Sequence, residues 1–173
     1  AALICVTLAG CGGGDRRLVL LPFGGGGGDD RTRDVPRAQS EPGLYPGETP
    51  EMRALVNEYA VRHGIPTALL HRVIQRESDY RANARNGPYW GLMQILPQTA
   101  QPMGHTGPPE ELLDPRVNLE YAGRYLRGAW LVSDGDIDAA VLWYARGYYY
   151  EARNRCLLVE TGLNTREIAR QCR

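Results

Sequence analysis

The chain has 173 residues, 43% of them hydrophobic, and its 20 basic and 20 acidic residues give a formal net charge of zero. This length allows one compact domain of about 120 residues plus a tail, and the charge balance excludes the overall positive field by which many proteins attract nucleic acid. Every basic residue is an arginine, which indicates mainly a compositional bias of the genome and secondarily a supply of donors for carboxylates on a substrate.

The first eleven residues form an apolar run that ends in Leu-Ala-Gly-Cys at positions 8–11. The run has the length of a signal-peptide core and is too short to span a membrane as a helix. Its end resembles the lipobox of bacterial lipoproteins, so we expect residues 1–11 to be the last part of a lipoprotein signal. Cys11 is then the lipidated residue, which tethers the protein in the periplasm, at the inner leaflet of the outer membrane. A chance apolar leader is the alternative.

Residues 12–48 contain glycine runs at 12–14 and 24–28 among scattered Arg, Asp, Pro and Ser. No hydrophobic period survives in this segment, which predicts a flexible linker. Such a linker spans roughly 35 Å in root-mean-square terms, enough for a tethered domain to sample a polymer beside the membrane. A leader without any role is the alternative.

The first predicted helix begins at Thr49 and Pro50, a favourable N-cap followed by a proline at the first helical position. It ends at His63 and Gly64, because glycine accepts the left-handed conformation that closes many helices. This start sets the predicted boundary of a folded domain at residues 49–173.

A glutamate is predicted on the apolar face of the second helix, which Pro66 opens. Leu69, Val73 and Glu77 follow one another at intervals of four residues, and Leu70 and Ile74 widen the same stripe. A charged carboxylate on this face is costly. The pattern therefore favours a carboxylic acid that stays protonated near neutral pH.

Five more helices are predicted along the rest of the chain. A short one follows Pro97, Asp114 and Pro115 open a longer one, and Asp134 or Asp136 caps the next. Residues 151–158 and 164–171 read as two terminal helices. No alternating pattern indicates a strand, so the predicted domain is mainly α.

Two cysteines remain for the folded domain, Cys156 and Cys172. In an oxidising periplasm they could pair, and two free thiols are the alternative. The three histidines, at positions 63, 71 and 105, show no ligand spacing with these cysteines, so no metal site is predicted.

Five segments carry a family resemblance when they are taken in order. They are Glu-Ser at 77–78; Asn-Gly at 86–87 leading into Gly-Leu-Met-Gln at 91–94; Pro-Gln-Thr-Ala at 97–100; Leu-Asp-Pro-Arg-Val-Asn-Leu at 113–119 with Ala-Gly-Arg-Tyr-Leu at 122–126; and Tyr-Ala-Arg-Gly at 144–147. Over roughly residues 51–150 the chain thereby resembles the lytic transglycosylase family, whose catalytic domain is similar to goose-type lysozyme. The resemblance implies a single lysozyme-like helical domain that acts on peptidoglycan glycan strands as a monomer and without a cofactor.

The resemblance also implies roles for individual residues. Glu77 is the implied catalytic residue, and the implied substrate-binding residues are Ser78, Asn86, Trp90, Met93, Gln94, Tyr144 and Tyr148. Each has a plainer alternative: Ser78 as a helix stop, Met93 as core, and the aromatic residues as packing. For Tyr144 we expect the ring beneath the cleft and the hydroxyl against the Glu77 carboxyl.

One clear carboxylate, rather than the usual pair of a glycosidase, favours the mechanism that the family implies. Glu77 acts first as acid and then as base, the substrate's N-acetyl group stabilises the anomeric centre, and the MurNAc–GlcNAc β-1,4 bond is cleaved with formation of 1,6-anhydro-MurNAc. The alternatives are a hydrolytic muramidase and a catalytically silent cell-wall-binding lipoprotein. The family's usual Tyr-Asn-Ala-Gly is here Tyr-Ala-Arg-Gly, which leaves the saccharide contacts of Ala145 and Arg146 open.

Overall fold

The computed structural model describes residues 43–172. Cys11, the lipobox and residues 12–42 of the predicted linker lie outside the described residues. The described part is mainly α, as the sequence predicts, with six α-helices and two very short strands. Among these residues no helix combines the length and the apolar character that crossing a membrane requires.

The elements follow one another closely along the chain. They are α1 (Pro50–His63), α2 (Thr67–Ser78), β1 (Arg85–Asn86), β2 (Tyr89–Trp90), α3 (Pro97–Ala100), a 3-10 helix (Pro109–Leu113), α4 (Pro115–Val132), α5 (Ile137–Arg146), α6 (Tyr149–Asn154) and a final 3-10 turn (Arg170–Cys172).

Three helix starts carry the side-chain caps that the sequence predicts. Thr49 accepts a hydrogen bond from the Met52 amide, Asp114 accepts from the first amides of α4, and Asp136, not Asp134, caps α5. Gly64 closes α1 in the left-handed conformation. Pro66 lies one residue before α2 instead of at its first position.

The long helix α4 forms the centre of the packing, since it contacts α1, α3 and α5, while α2 packs on α1 and α5. The residues at the centre of the core are completely shielded from solvent, among them Leu69, Leu70, Ile74, Leu119 and Leu126. Burial of such side chains contributes roughly 1.5–3 kcal/mol each before entropy is counted. The core therefore holds the C-terminal end of α2 in a fixed place.

The strands β1 and β2 form an antiparallel pair in which Arg85 lies opposite Trp90 and Asn86 opposite Tyr89. The two strands were not predicted, because two residues are too few to show an alternating pattern.

The C-terminal region differs from its prediction. The helix expected over 151–158 is α6, which ends at Asn154 because Cys156 adopts a positive φ of 58°. The helix predicted over 164–171 is wrong: apart from the final 3-10 turn, this segment is irregular. The Asn164 side chain caps the next amide locally, Glu167 accepts from the Val159 amide at 2.8 Å, and Cys172 forms a disulfide with Cys156. These contacts hold the segment in place of the backbone hydrogen bonds of a helix.

Residues just before the predicted boundary at residue 49 take part in the packing. Glu48 is buried; it accepts hydrogen bonds from Arg53 Nε at 2.7 Å and from the Tyr45 amide at 2.9 Å. A Cβ atom on Gly47 would lie 2.6 Å from the carbonyl oxygen of Asp79, directly after α2. Residues 45–48, assigned above to the linker, therefore pack against the domain near the end of α2.

Candidate active site

Glu77 occupies the last turn of α2, at the end of the apolar stripe that buries Leu69 and Val73. Its side chain is 24% exposed, and its Oε1 atom lies 3.7 Å from Nε of Arg76. Burial raises the pKa of the Glu77 carboxyl, and the Arg76 charge offsets this only in part. Glu77 is therefore a partly accessible carboxyl group that holds its proton to higher pH than an ordinary glutamate.

The end of α2 is joined to the loop that follows β2. Ser78 is buried and its hydroxyl donates to the carbonyl oxygen of Leu92 at 2.7 Å. Asp79 and Tyr80 then turn the chain away, with φ values of 49° and 64°. Ser78 thus positions Glu77 against the loop, which is a supporting role and not a contact with substrate.

Gly91 and Gln94 are the residues that shape this loop. A Cβ atom on Gly91 would lie 2.1 Å from the Leu112 carbonyl oxygen, and its φ is 74°, so both space and conformation require glycine. Gln94 also has a positive φ, 49°, and its Nε2 donates to the carbonyl oxygens of Gly91 and Ala84 at 2.8 and 3.1 Å. Gln94 is therefore fixed through its amide nitrogen.

Asn118, on the buried face of α4, holds the same loop from below. Its Oδ1 accepts from the Met93 amide at 2.9 Å, and its Nδ2 donates to the carbonyl oxygens of Trp90 and Leu112 at 3.0 and 2.8 Å. Its place within the segment 113–119 was noted above, but its role was missed. The signal was available: a polar amide among the apolar residues of a helix needs partners.

Tyr144 lies across the groove from α2 and is buried. Its hydroxyl donates to the carbonyl oxygen of Met93 at 2.8 Å, so the predicted pairing with the Glu77 carboxyl is not what the structure shows. Burial, and then the nearby charge of Glu77, raise the pKa of Tyr144 well above that of an ordinary tyrosine. Tyr144 is thus a neutral group that fixes the loop in front of Glu77.

Two adjoining cavities form a groove beside Glu77. The first, about 330 Å³, contains Glu77, and the second, about 250 Å³, extends toward the C-terminal end of α5. Tyr89, Gln94, Tyr144 and Ala145 line both cavities, so the two are continuous. The first is further lined by Arg76 and Asn86, and the second by Ile95, Leu96, Thr99, Tyr125, Arg146 and Gly147.

Three residues predicted to contact substrate are buried and line neither cavity. Trp90 is 7% exposed with the Arg85 guanidinium 3.5 Å from its ring centroid, and Met93 is completely buried. Tyr148 is 1% exposed and donates to the Tyr125 carbonyl oxygen at 2.8 Å. All three side chains belong to the hydrophobic core.

The exposed aromatic surface of the groove comes from Tyr89, whose side chain lies beside Asn86. Tyr89 is 42% exposed and Asn86 is exposed as well. Together with Gln94 they supply the polar and aromatic lining that a sugar ring requires. Among the described residues that line the two cavities, Glu77 is the only acid.

The described part of the chain also bears on the metal prediction and the cysteines. Within residues 43–172 no three His, Cys, Asp or Glu side chains are grouped so that they could hold a metal ion.

Cys156 and Cys172 form a disulfide with their Cα atoms 5.4 Å apart. This is the first of the two alternatives that the sequence left open.

Comparison with known proteins assigns the domain that contains this groove to a family. Residues 54–155 match the Transglycosylase SLT domain. The chain belongs to the transglycosylase SLT family. The matched range includes Glu77, Ser78, Tyr144 and the loop between β2 and α3. The domain of this family is helical and lysozyme-like, and the family includes lytic transglycosylases. Membership indicates transglycosylase activity on peptidoglycan in general terms. No solved structure gives a significant match to this chain.

Proposed function

We propose that this protein is a lytic transglycosylase in which Glu77 alone performs the acid and base steps of MurNAc–GlcNAc cleavage. The observation that carries the proposal is the solitary position of Glu77. It is the only acid lining a groove of two joined cavities, and burial raises its pKa. A glycosidase that activates water usually has a second carboxylate for the task, and none of the described residues supplies one in this groove.

In the first step the protonated Glu77 carboxyl donates its proton to the glycosidic oxygen while the bond from that oxygen to C1 of MurNAc breaks. The acetamido carbonyl oxygen of the same sugar bonds to C1 and forms a cyclic oxazolinium, which takes the place of a second enzymic carboxylate. Glu77 is left as a carboxylate, and the neighbouring Arg76 guanidinium moderates the cost of that charge.

In the second step the Glu77 carboxylate removes the proton from the C6 hydroxyl of MurNAc. The C6 oxygen then bonds to C1, the oxazolinium opens back to the acetamido group, and a 1,6-anhydro ring results. Glu77 ends protonated, as it began, and no water is consumed. A raised pKa suits this cycle, because the residue must give and retake a proton near neutral pH.

The other groups of the groove support this chemistry through position. Ser78, Asn118 and Tyr144 fix the loop that faces Glu77, which lowers the reorganisation needed when substrate binds. Tyr89, Asn86 and Gln94 are the residues that we expect to contact sugar rings.

Replacement of Glu77 by glutamine tests the assignment. Glutamine has nearly the same shape and cannot donate and retake a proton, so we expect Glu77→Gln to fold and to lose at least about a thousandfold in cleavage of purified sacculi. The matched control is Glu110→Gln, an exposed glutamate that lines neither cavity. Cleavage by Glu77→Gln at the parental rate would refute the role of Glu77.

A further inference from the structure

The second cavity of the groove ends at a guanidinium group. Arg146 is the last residue of α5 and lines this cavity together with Gly147. Its guanidinium carbon lies 3.8 Å from the centroid of the Trp143 ring. Stacking on a ring face uses the face of the guanidinium plane and leaves its in-plane N–H donors available. Trp143 thus holds a planar set of donors at the edge of the groove.

No acid neutralises this charge within the described residues. Arg146 has no ion pair there, whereas Arg62, Arg124 and Arg155 are all paired with carboxylates. The residues lining the second cavity include no Asp or Glu, and Glu77 in the first cavity already has Arg76 beside it. The groove therefore carries an excess of positive charge at the end away from Glu77, although the chain as a whole is neutral.

We propose that Arg146 binds a carboxylate of the substrate and so makes the groove selective for glycan strands that carry anionic groups. This inference rests on the proposed function, because peptidoglycan supplies the anion. Each muramic acid bears a lactyl group whose carboxylate is free or joined to a peptide stem, and the stem has carboxylates of its own. A planar guanidinium fits a carboxylate through two parallel hydrogen bonds.

A purely structural role for Arg146 predicts a different outcome. A basic residue in the last turn of a helix interacts favourably with the helix dipole, and this benefit does not depend on the substrate. Arg153 offers a matched control, since it lies in the last turn of α6, stands 5.1 Å from the Tyr150 ring centroid and lines neither cavity.

The kinetic test compares the full-length parent with Arg146→Gln and Arg153→Gln on three glycans. These are strands with intact peptide stems, the same strands with carboxylates converted to methylamides, and strands stripped to the free lactyl carboxylate. We expect Arg146→Gln to raise KM about fivefold on intact strands, with kcat nearly unchanged. On methylamidated strands the variant should match the parent, and the difference on intact strands should shrink as salt is added.

The stripped strands identify the source of the carboxylate. The lactyl carboxyl is an amide in intact strands and a free carboxylate in stripped strands. A defect of Arg146→Gln on intact strands alone therefore assigns the contact to the stem, and a defect on stripped strands alone assigns it to the lactyl group. An equal rise in KM on intact and methylamidated strands, or an equal effect of Arg153→Gln, would overturn the inference.

Binding separates this inference from the proposed function. Co-sedimentation with insoluble sacculi measures affinity whether or not the protein cleaves them. If the parent fails to cleave, the proposed function fails. The inference is still supported if Arg146→Gln binds native sacculi more weakly than the parent does and binds methylamidated sacculi as tightly as the parent does. Equal affinities of parent and variant for native sacculi, together with equal KM values on stripped strands, would contradict the inference while leaving cleavage by Glu77 intact.

Discussion

Glu77 combines two properties that oppose each other, a place in the apolar packing of α2 and an ionisable side chain. Burial raises the pKa of its carboxyl, so the folded protein binds this proton more tightly than the unfolded chain does. A group with a raised folded pKa contributes its full stability below the unfolded value, and that contribution is lost as the pH rises through the folded pKa. Glu77 should therefore cost stability at neutral pH.

Thermal unfolding of Glu77→Gln across a pH series checks this cost. Glutamine does not titrate, so the stability of the variant minus that of the parent should grow more positive from about pH 4 to about pH 8. Glu110→Gln, with an exposed side chain, serves as the control. A difference that is flat with pH, or one that favours the parent at neutral pH, would show that Glu77 ionises in the folded state without penalty.

The sequence identified Glu77 but not all of its neighbours. A four-residue repeat of apolar side chains leads to Glu77 along one helix, so its burial is a local property. The contact of Tyr144 with the Met93 carbonyl joins residues 51 positions apart, and only the packing of α5 against the rest of the domain brings them together. For the same reason the burial of Trp90 and Tyr148 could not be predicted from the sequence.

At the scale of elements, the loop over residues 90–94 decides the shape of the groove. Its conformation depends on positive φ values at Gly91 and Gln94 and on hydrogen bonds to Ser78, Asn118 and Tyr144. None of these partners lies in a neighbouring segment of sequence. The loop is therefore held by three helices, and its geometry should be sensitive to each.

Removal of the Asn118 amide tests this dependence. Asn118→Ala deletes three buried hydrogen bonds, each worth about 1 kcal/mol net, so we expect a loss of about 3 kcal/mol in the free energy of unfolding and a marked fall in kcat where the variant is folded. Asn154→Ala, at an exposed site at the end of α6, is the control. Parental stability and turnover of Asn118→Ala would mean that the loop holds its shape unaided.

Helix boundaries that depend on local contacts were predicted correctly, and those that depend on distant contacts were not. The starts of α1 and α4 were predicted from Thr49 and Asp114 because an N-cap is a contact within three residues. The helix predicted over 164–171 is wrong because contacts with distant residues fix the backbone of this segment. These contacts are the disulfide between Cys156 and Cys172 and the hydrogen bond from the Val159 amide to Glu167. The burial of Glu48, one residue before the predicted domain boundary, could not be predicted, because it depends on a contact with Arg53 and shows no sequence period.

At the scale of the whole molecule, the disulfide between Cys156 and Cys172 bears on where the protein works. Disulfides persist in oxidising compartments such as the bacterial periplasm, where peptidoglycan is also found. This agrees with our proposal that the chain is a periplasmic lipoprotein tethered through Cys11, a residue outside the described part of the structure.

Membrane fractionation tests the tether. With Cys11→Ala in a full-length precursor, we expect the protein to move from the membrane fraction to a soluble or unprocessed form, because a stable anchor requires the acyl chains carried by that cysteine. Cys5→Ala is a suitable control, since it removes a cysteine from the same apolar run without changing the Leu-Ala-Gly-Cys at positions 8–11. Unchanged fractionation, with no lipid mass on the mature N-terminus, would contradict the tether.

The central claim is that Glu77 serves as both acid and base in a reaction that consumes no water. Mass spectrometry of the products from purified sacculi digested in heavy-oxygen water measures this directly. The account predicts 1,6-anhydro-MurNAc ends without heavy oxygen, formed by the parent and absent with Glu77→Gln. Reducing MurNAc ends that carry heavy oxygen would contradict it and identify a muramidase.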